Sequence, residues 1–165
     1  MAHALLILGA GQFGAMVKEI ANSTKEFERI AFLDDRSPAA IGTLDSFSAH
    51  RQEFDCATVA IGLPALRLDY LEKLAACGYT LAPIVSPLAS VSPSATLSIG
   101  CIVEPMAVLQ TEATLGKGCI VSSGAVIRHN ATVGDGCHVD CNAVVLSNVT
   151  VPEKTKIPAL TAYTL

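Results

Sequence analysis

The stretch Val133-Gly134-Asp135-Gly136-Cys137-His138-Val139 sets two aliphatic residues six positions apart, with a small residue two positions before the second. That spacing runs from Val85 to Ile157 without a miss, and Ala or Cys precedes the aliphatic residue at Ala89, Ala95, Cys101 and onward to Ala143. Residues two apart in a strand share a face. Both sets therefore point inward, and the residue between them points outward. A hexapeptide repeat is the mark of a parallel β-helix, whose stacked coils bury one continuous core.

A second period lies on the first. Gly100, Gly118 and Gly136 are eighteen apart, as are Cys101, Cys119 and Cys137, and so are Thr96, Thr114, Thr132 and Thr150. Eighteen is three hexapeptides, so a coil has three flat sides, and equivalent residues stack about 4.8 Å apart, the spacing of paired strands. The cysteines then form an internal packing column rather than a disulfide framework or a metal site. No C-x-x-C occurs, and the nearest metal-like grouping is Cys137, His138 and Cys141. No metal is expected.

Upstream of the repeat the pattern changes. Ala4–Leu8 reads as a buried strand and leads into Gly9-Ala10-Gly11-Gln12-Phe13-Gly14 and a helix through Ala21. A second strand, Arg29–Leu33, ends in Asp34-Asp35, and a third, Ala57–Ile61, ends at Gly62. Pro64 suits the first turn of a further helix with Leu68, Leu71 and Leu74 on one face, and Gly78 suits its stop. Strand, glycine-rich turn and helix make the βαβ unit that holds nucleotide phosphates on free N–H groups at a helix start. Only about half of a full dinucleotide fold fits before the repeat begins. The expected architecture is an α/β half-Rossmann-like domain over residues 1–84, followed by a parallel β-helix over 85–165. Gly9, Gly11, Gly14 and Gly62 should border a nucleotide, with Asp34 and Asp35 near its base or ribose.

Composition narrows the function. The chain has 165 residues, 51% of them hydrophobic, no Trp, and fifteen acidic against eleven basic side chains for a net charge of −4. No Lys/Arg run occurs, which argues against nucleic acid or an anionic membrane as partner. The apolar run Ala4–Leu8 is too short to span a bilayer and lacks a cationic start. A cytoplasmic protein is expected.

The outward columns bear on assembly. Thr96, Thr114, Thr132 and Thr150 form one; Ile102, Ile120, His138 and Lys156 a second; Val108, Val126 and Val144 a third. Aliphatic residues on two adjacent sides make an apolar strip that a soluble monomer rarely leaves open. A homotrimer, with a threefold axis along one corner of the prism, would bury it.

The glycine-rich loop, Phe32–Asp35, Val59–Gly62, Ser86–Ala89 and the hexapeptide Val133–Val139, in this order, resemble the bacterial sugar acyltransferases. That family includes sialic acid O-acetyltransferases and UDP-4-amino-sugar N-acetyltransferases. The resemblance implies that the β-helix is left-handed and that further coils lie beyond Ile157 in relatives. It implies acetyl-CoA as acyl donor, a UDP-sugar or related sugar as acceptor, and His129 as general base. His138 would contact the acetyl group or cofactor, with Ser147 one coil beyond His129 at the cofactor. Arg128 and Asn130 stand where the family carries acidic residues, and Phe13 where its loop carries His. Two functions stay open: acetyl transfer to the amine or hydroxyl of a nucleotide-linked sugar in surface-glycan synthesis, or a weak or inactive nucleotide-sugar-binding homologue. An NAD-linked oxidoreductase fits less well, since the β-helix offers no partner domain for hydride transfer.

Overall fold

A computed structural model describes residues 3–164. The N-terminal part contains β1 (His3–Leu8), α1 (Gln12–Thr24), β2 (Phe27–Leu33), β3 (Cys56–Val59) and α2 (Pro64–Ala76). The three strands are parallel in the order β2-β1-β3. Central β1 is apolar on both faces because both are covered. Leu6 and Leu8 join Leu71 and Leu74 of α2, while Leu5 and Ile7 join Val17 and Ile20 of α1. Helix α1 runs past the expected Ala21 to Thr24, where the Ser23 and Thr24 hydroxyls donate to the carbonyls of Ile20 and Ala21.

From Ile84 the chain coils. Two-residue strands run from β4 (Ile84–Val85) to β17 (Ala162–Tyr163) and stack in parallel sheets that form the sides of a left-handed β-helix. The first side contains β4, β7 (Ile102–Val103), β10 (Ile120–Val121), β13 (His138–Val139) and β16 (Lys156–Ile157). The second contains β5 (Ser90–Val91), β8 (Val108–Leu109), β11 (Val126–Ile127), β14 (Val144–Val145) and β17. The third contains β6 (Thr96–Leu97), β9 (Thr114–Leu115), β12 (Thr132–Val133) and β15 (Thr150–Val151). Thr132 pairs with Thr114 on one side and Thr150 on the other, so the eighteen-residue period is one coil. Cys101, Cys119 and Cys137 are fully buried in the prism interior.

The N-terminal part folds back onto the prism. Helix α2 rests on the corner between the third and first sides, where Gly100, Gly118 and Gly136 have φ of +66°, +59° and +70°. A Cβ at Gly100 would lie 2.5 Å from a Leu71 methyl, and one at Gly136 would lie 2.9 Å from a Leu68 methyl. The glycine column thus makes the left-handed turns and seats the helix. On the first side, Ile84 and Ile102 enter the core of α1 with Val17 and Ile20.

This corrects one expectation. Ile102 and Ile120 are 0% and 1% exposed within a single chain, so the first-side column is not an open apolar strip. Periodicity tells which residues leave the prism, but not that another part of the chain covers them. Of the outward aliphatic columns, Val108, Val126 and Val144, half-buried on the second side, remain available to a neighbour.

Candidate active site

The glycine-rich loop sits at the C-terminal edge of the three-stranded sheet. Gly9 N–H donates to the carbonyl of Leu33 at 2.8 Å. A Cβ on Gly14 would lie 2.0 Å from the Gly9 carbonyl, so close helix–loop approach demands glycine there. Gly11, the residue before α1, and Gly62, after β3, are different: a Cβ on either meets nothing within 4 Å. Both border open space beside the start of α1, whose first N–H groups are free to meet an anion.

Asp34 and Asp35 hold loops. Asp34 Oδ2 accepts from Ala10 N–H at 2.8 Å, and its Oδ1 accepts from Arg36 and Ser37 N–H at 2.9 and 3.0 Å. These bonds, Ala10 first, draw its pKa below the ordinary carboxylate value. Asp35 Oδ1 accepts from Leu44 N–H at 3.0 Å. Asp34 therefore shapes the glycine loop from below.

Arg67 ties this edge to the prism. It is fully buried, and its guanidinium donates to the carbonyls of Gly118 (2.7 Å), Gly136 (2.7 Å), Ile61 (2.8 Å) and Gly62 (3.0 Å). Burial lowers its pKa, yet a guanidinium keeps its proton in proteins. The strand that follows Gly136 carries His138. That side chain is 24% exposed, and Nε2 lies 2.9 Å from Ser122 Oγ and 4.0 Å from Asp140 Oδ1. Burial, more than any charge, lowers the His138 pKa. Asp140 also pairs with Lys156 at 3.2 Å. Cys137 does not join His138 in a ligand set, because its thiol turns inward to the Pro152 carbonyl at 3.0 Å.

His129 is exposed and lies elsewhere, at the corner after β11 between the second and third sides. Its N–H donates to Gln110 Oε1 at 3.2 Å, and its Nδ1 lies 3.3 Å from Ser147 Oγ, one coil beyond. It borders an open groove of about 700 Å³ with Ser90, Ser92, Val108, Gln110 and Asn130. In a three-sided prism that corner lies opposite the first side. One chain therefore does not bring His129 and His138 together.

Sequence reasoning missed Arg67, Glu104 and Ser122. Arg67 had a signal: it falls on the face of α2 that also carries Leu71 and Leu74, where an unpaired cation is unexpected. Ser86, Glu104, Ser122 and Asp140 also recur every eighteen residues, a polar column not singled out. Among the described residues, His3, Asp55 and Cys56 bring metal-type ligand atoms within 4.8 Å of one another. They lie at the opposite end of the sheet from the glycine loop. Among the described residues, no helix is long and apolar enough to cross a membrane.

A glycine-rich α/β unit is thus joined to a left-handed hexapeptide β-helix that carries His129 and His138. Residues 4–74 match the model of the PglD N-terminal domain family. The chain is similar to the acetyltransferase domain of PglB from Neisseria gonorrhoeae in complex with acetyl coenzyme A, at 28% identity and a TM-score of 0.80, over 99% of this chain and 97% of that one. A mutant of GDP-perosamine N-acetyl transferase from Caulobacter crescentus, in complex with CoA and GDP-perosamine, shares the fold at 22% identity and a TM-score of 0.86, over 98% of this chain and 88% of that one. WeeI from Acinetobacter baumannii shares it at 16% identity and a TM-score of 0.74, over 96% and 93%. No curated protein sequence matches. The chain has the architecture of the bacterial sugar acetyltransferases.

Proposed function

We propose that the chain transfers an acetyl group from acetyl-CoA to the amine or hydroxyl of a nucleotide-linked sugar in surface-glycan synthesis. The observation that carries this is the likeness, over 99% of the chain, to an acetyltransferase domain bound to acetyl-CoA. The nucleotide phosphates meet the loop of Gly9, Gly11 and Gly14, beside Gly62, and a UDP-sugar is the expected form. The relative bound to GDP-perosamine supports the nucleotide-sugar class.

His129 acts as general base. It takes a proton from the amine or hydroxyl as that group attacks the thioester carbonyl. The carbon–sulfur bond then breaks and CoA leaves as its thiolate. Positioning the two substrates supplies much of the acceleration. Because His129 and His138 lie on opposite sides of one prism, a site using both is composed between two copies, as a homotrimer would allow. Ser147 orients His129, and the donor lies along the adjacent groove. The cytoplasm, where acetyl-CoA and nucleotide sugars meet, is the compartment this chemistry needs.

A second reading, a nucleotide-sugar-binding homologue with little activity, draws on one feature: the partner of His129 Nδ1 is a hydroxyl rather than a carboxylate. One assay separates the two. Wild type is incubated with acetyl-CoA and a UDP- or GDP-linked amino sugar, and free CoA thiol is followed. Turnover that falls by about 10²–10⁴ in His129→Ala is the expected result for loss of a general base. Equal rates in the two proteins reject His129 as the base. Nucleotide-sugar binding without thiol release favours the homologue.

A further inference from the structure

His138 is held from inside the protein. Its Nε2 lies 2.9 Å from Ser122 Oγ, and that hydroxyl lies 3.1 Å from Glu104 Oε1. The other Glu104 oxygen accepts from Ser123 N–H at 2.9 Å and from Ser123 Oγ at 3.1 Å. Glu104 and Ser122 are only 6% and 3% exposed. Glu104 and Ser122 occupy equivalent positions in successive coils, so the chain of bonds follows from the stacking itself.

The direction of the protons follows from what each group can donate. An ionised carboxylate only accepts, and a serine hydroxyl has a single proton. Ser122 therefore donates to Glu104, and its lone pair faces His138. A neutral imidazole donates from one nitrogen and accepts at the other. We propose that Glu104 is a positioning residue that, through Ser122, fixes the His138 proton on Nε2 and leaves the lone pair on Nδ1. Asp140 does not compete, since it stands 4.0 Å from Nε2 and is paired with Lys156. The network also borders usable space: Ser123 lines a cleft of about 470 Å³ with Met16, Ile20 and Pro105.

For the reaction, and resting on the acetyl-transfer function proposed above, this orders His138 as an acceptor. Its Nδ1 accepts the second N–H of an attacking amine, or a neighbouring O–H of the sugar, and so aligns the attacking group for His129, while its Nε2 proton stays committed to Ser122. It does not donate to the acetyl oxygen.

The tautomer is read directly, without turnover, by two-bond ¹H–¹⁵N correlation on the full chain at about pH 8, above the ordinary imidazole pKa. Wild type should show His138 with its proton on Nε2. Glu104→Gln should invert it. Ser123 N–H can only donate, so the glutamine oxygen must stay on that side and its NH₂ must face Ser122. Ser122 then donates to His138 Nε2, and the ring proton moves to Nδ1. Ser122→Ala, which keeps every charge, should give a mixture of tautomers. In the acetyl-transfer assay, Glu104→Gln should lower kcat by roughly tenfold or more, less than the about 10²–10⁴ of a lost acid–base group because Glu104 acts through His138, with the KM for acetyl-CoA little changed. A wild-type ring protonated on Nδ1, or an unaltered single tautomer in Ser122→Ala, overturns the proposal. Failure of wild type to acetylate any nucleotide sugar, with the tautomers as stated, instead removes the proposed function and leaves the proton order intact.

Discussion

Arg67 Nη2 donates to the carbonyl oxygen of Gly136 at 2.7 Å, two residues before His138, while Nη1 of the same guanidinium holds Ile61 and Gly62. One buried side chain thereby fastens the end of β3 to two successive coils of the prism. Among the described residues no carboxylate pairs with it, so its charge is met by carbonyl dipoles alone. Arg67→Met would leave buried carbonyls without donors at about 1–3 kcal/mol each. We expect a loss of roughly 3–5 kcal/mol in urea unfolding, and a smaller loss for Arg67→Lys, which keeps charge but not the planar fork. Unchanged stability in Arg67→Met would show that the carbonyls find other donors.

Two glycines should behave in opposite ways. Gly118 has a φ of +59°, and its added Cβ would lie 2.8 Å from a Leu71 methyl. Gly118→Ala should cost on the order of 1–3 kcal/mol through backbone strain and displacement of α2. Gly11 has a φ of −74° and open space around it. Gly11→Ala should fold as well as wild type, yet weaken nucleotide-sugar binding, because the methyl occupies the place of a phosphate. Calorimetry with UDP and GDP sugars checks this; undiminished binding would move the nucleotide off the loop.

What could be foreseen depended on how local the cause was. The repeat from Val85 to Ile157 fixes its own side, face and coil, because each strand pairs with one eighteen residues away. The βαβ order was legible for the same reason. The covering of Ile102 and Ile120 was not, since it depends on how the two parts dock. Nor was the role of Asp34. An acidic residue after the second strand suggests ribose, and nothing local in the sequence shows that its oxygens also accept from the N–H groups of Ala10, Arg36 and Ser37. The histidines were visible as residues, but their placement on opposite sides emerges only once the coil closes.

Asp34 gives a pH signature. Its folded pKa is lowered, first by the Ala10 N–H bond. A depressed carboxylate pKa contributes stability that is full above its unfolded value of 3.8 and is lost as pH falls through the folded value. Wild type should therefore lose stability as pH drops below about 4, near the ordinary Asp value, more steeply than Asp34→Asn. Identical slopes would mean that the loop amides do not favour the charged form.

The thiols should divide by position. Cys101, Cys119 and Cys137 are buried, whereas Cys141 is exposed. Contact with Cys101 and then burial raise the Cys119 pKa, burial raises those of Cys137 and Cys141, and contact with Cys119 lowers that of Cys101, so access rather than ionisation divides the set. The thiolate is the reacting form. Alkylation of the native protein followed by mass spectrometry should label Cys141 first and the three column cysteines last. Early labelling of Cys119 would contradict the coil register.

The second side of the prism tests the assembly. The N-terminal part covers the upper first side, and the third side presents exposed threonines, which tolerate water. Half-buried Val108, Val126 and Val144 are left, and this column leads directly into the corner that carries His129. A neighbouring copy packed there would bury the valines and bring its own first side, with its His138, toward His129. Val126→Asp would place a charge in that contact with no partner. Val126 is only half-buried in the single chain, so the variant should keep its circular dichroism and unfold as a monomer. Light scattering should then fall from about three times 17.1 kDa to near 17.1 kDa, and acetyl transfer should fall with it. A wild-type mass near 17.1 kDa at concentrations where the protein is active would reject both the trimer and the shared site. A monomeric Val126→Asp that retains full activity would keep the trimer but confine the reaction to one chain.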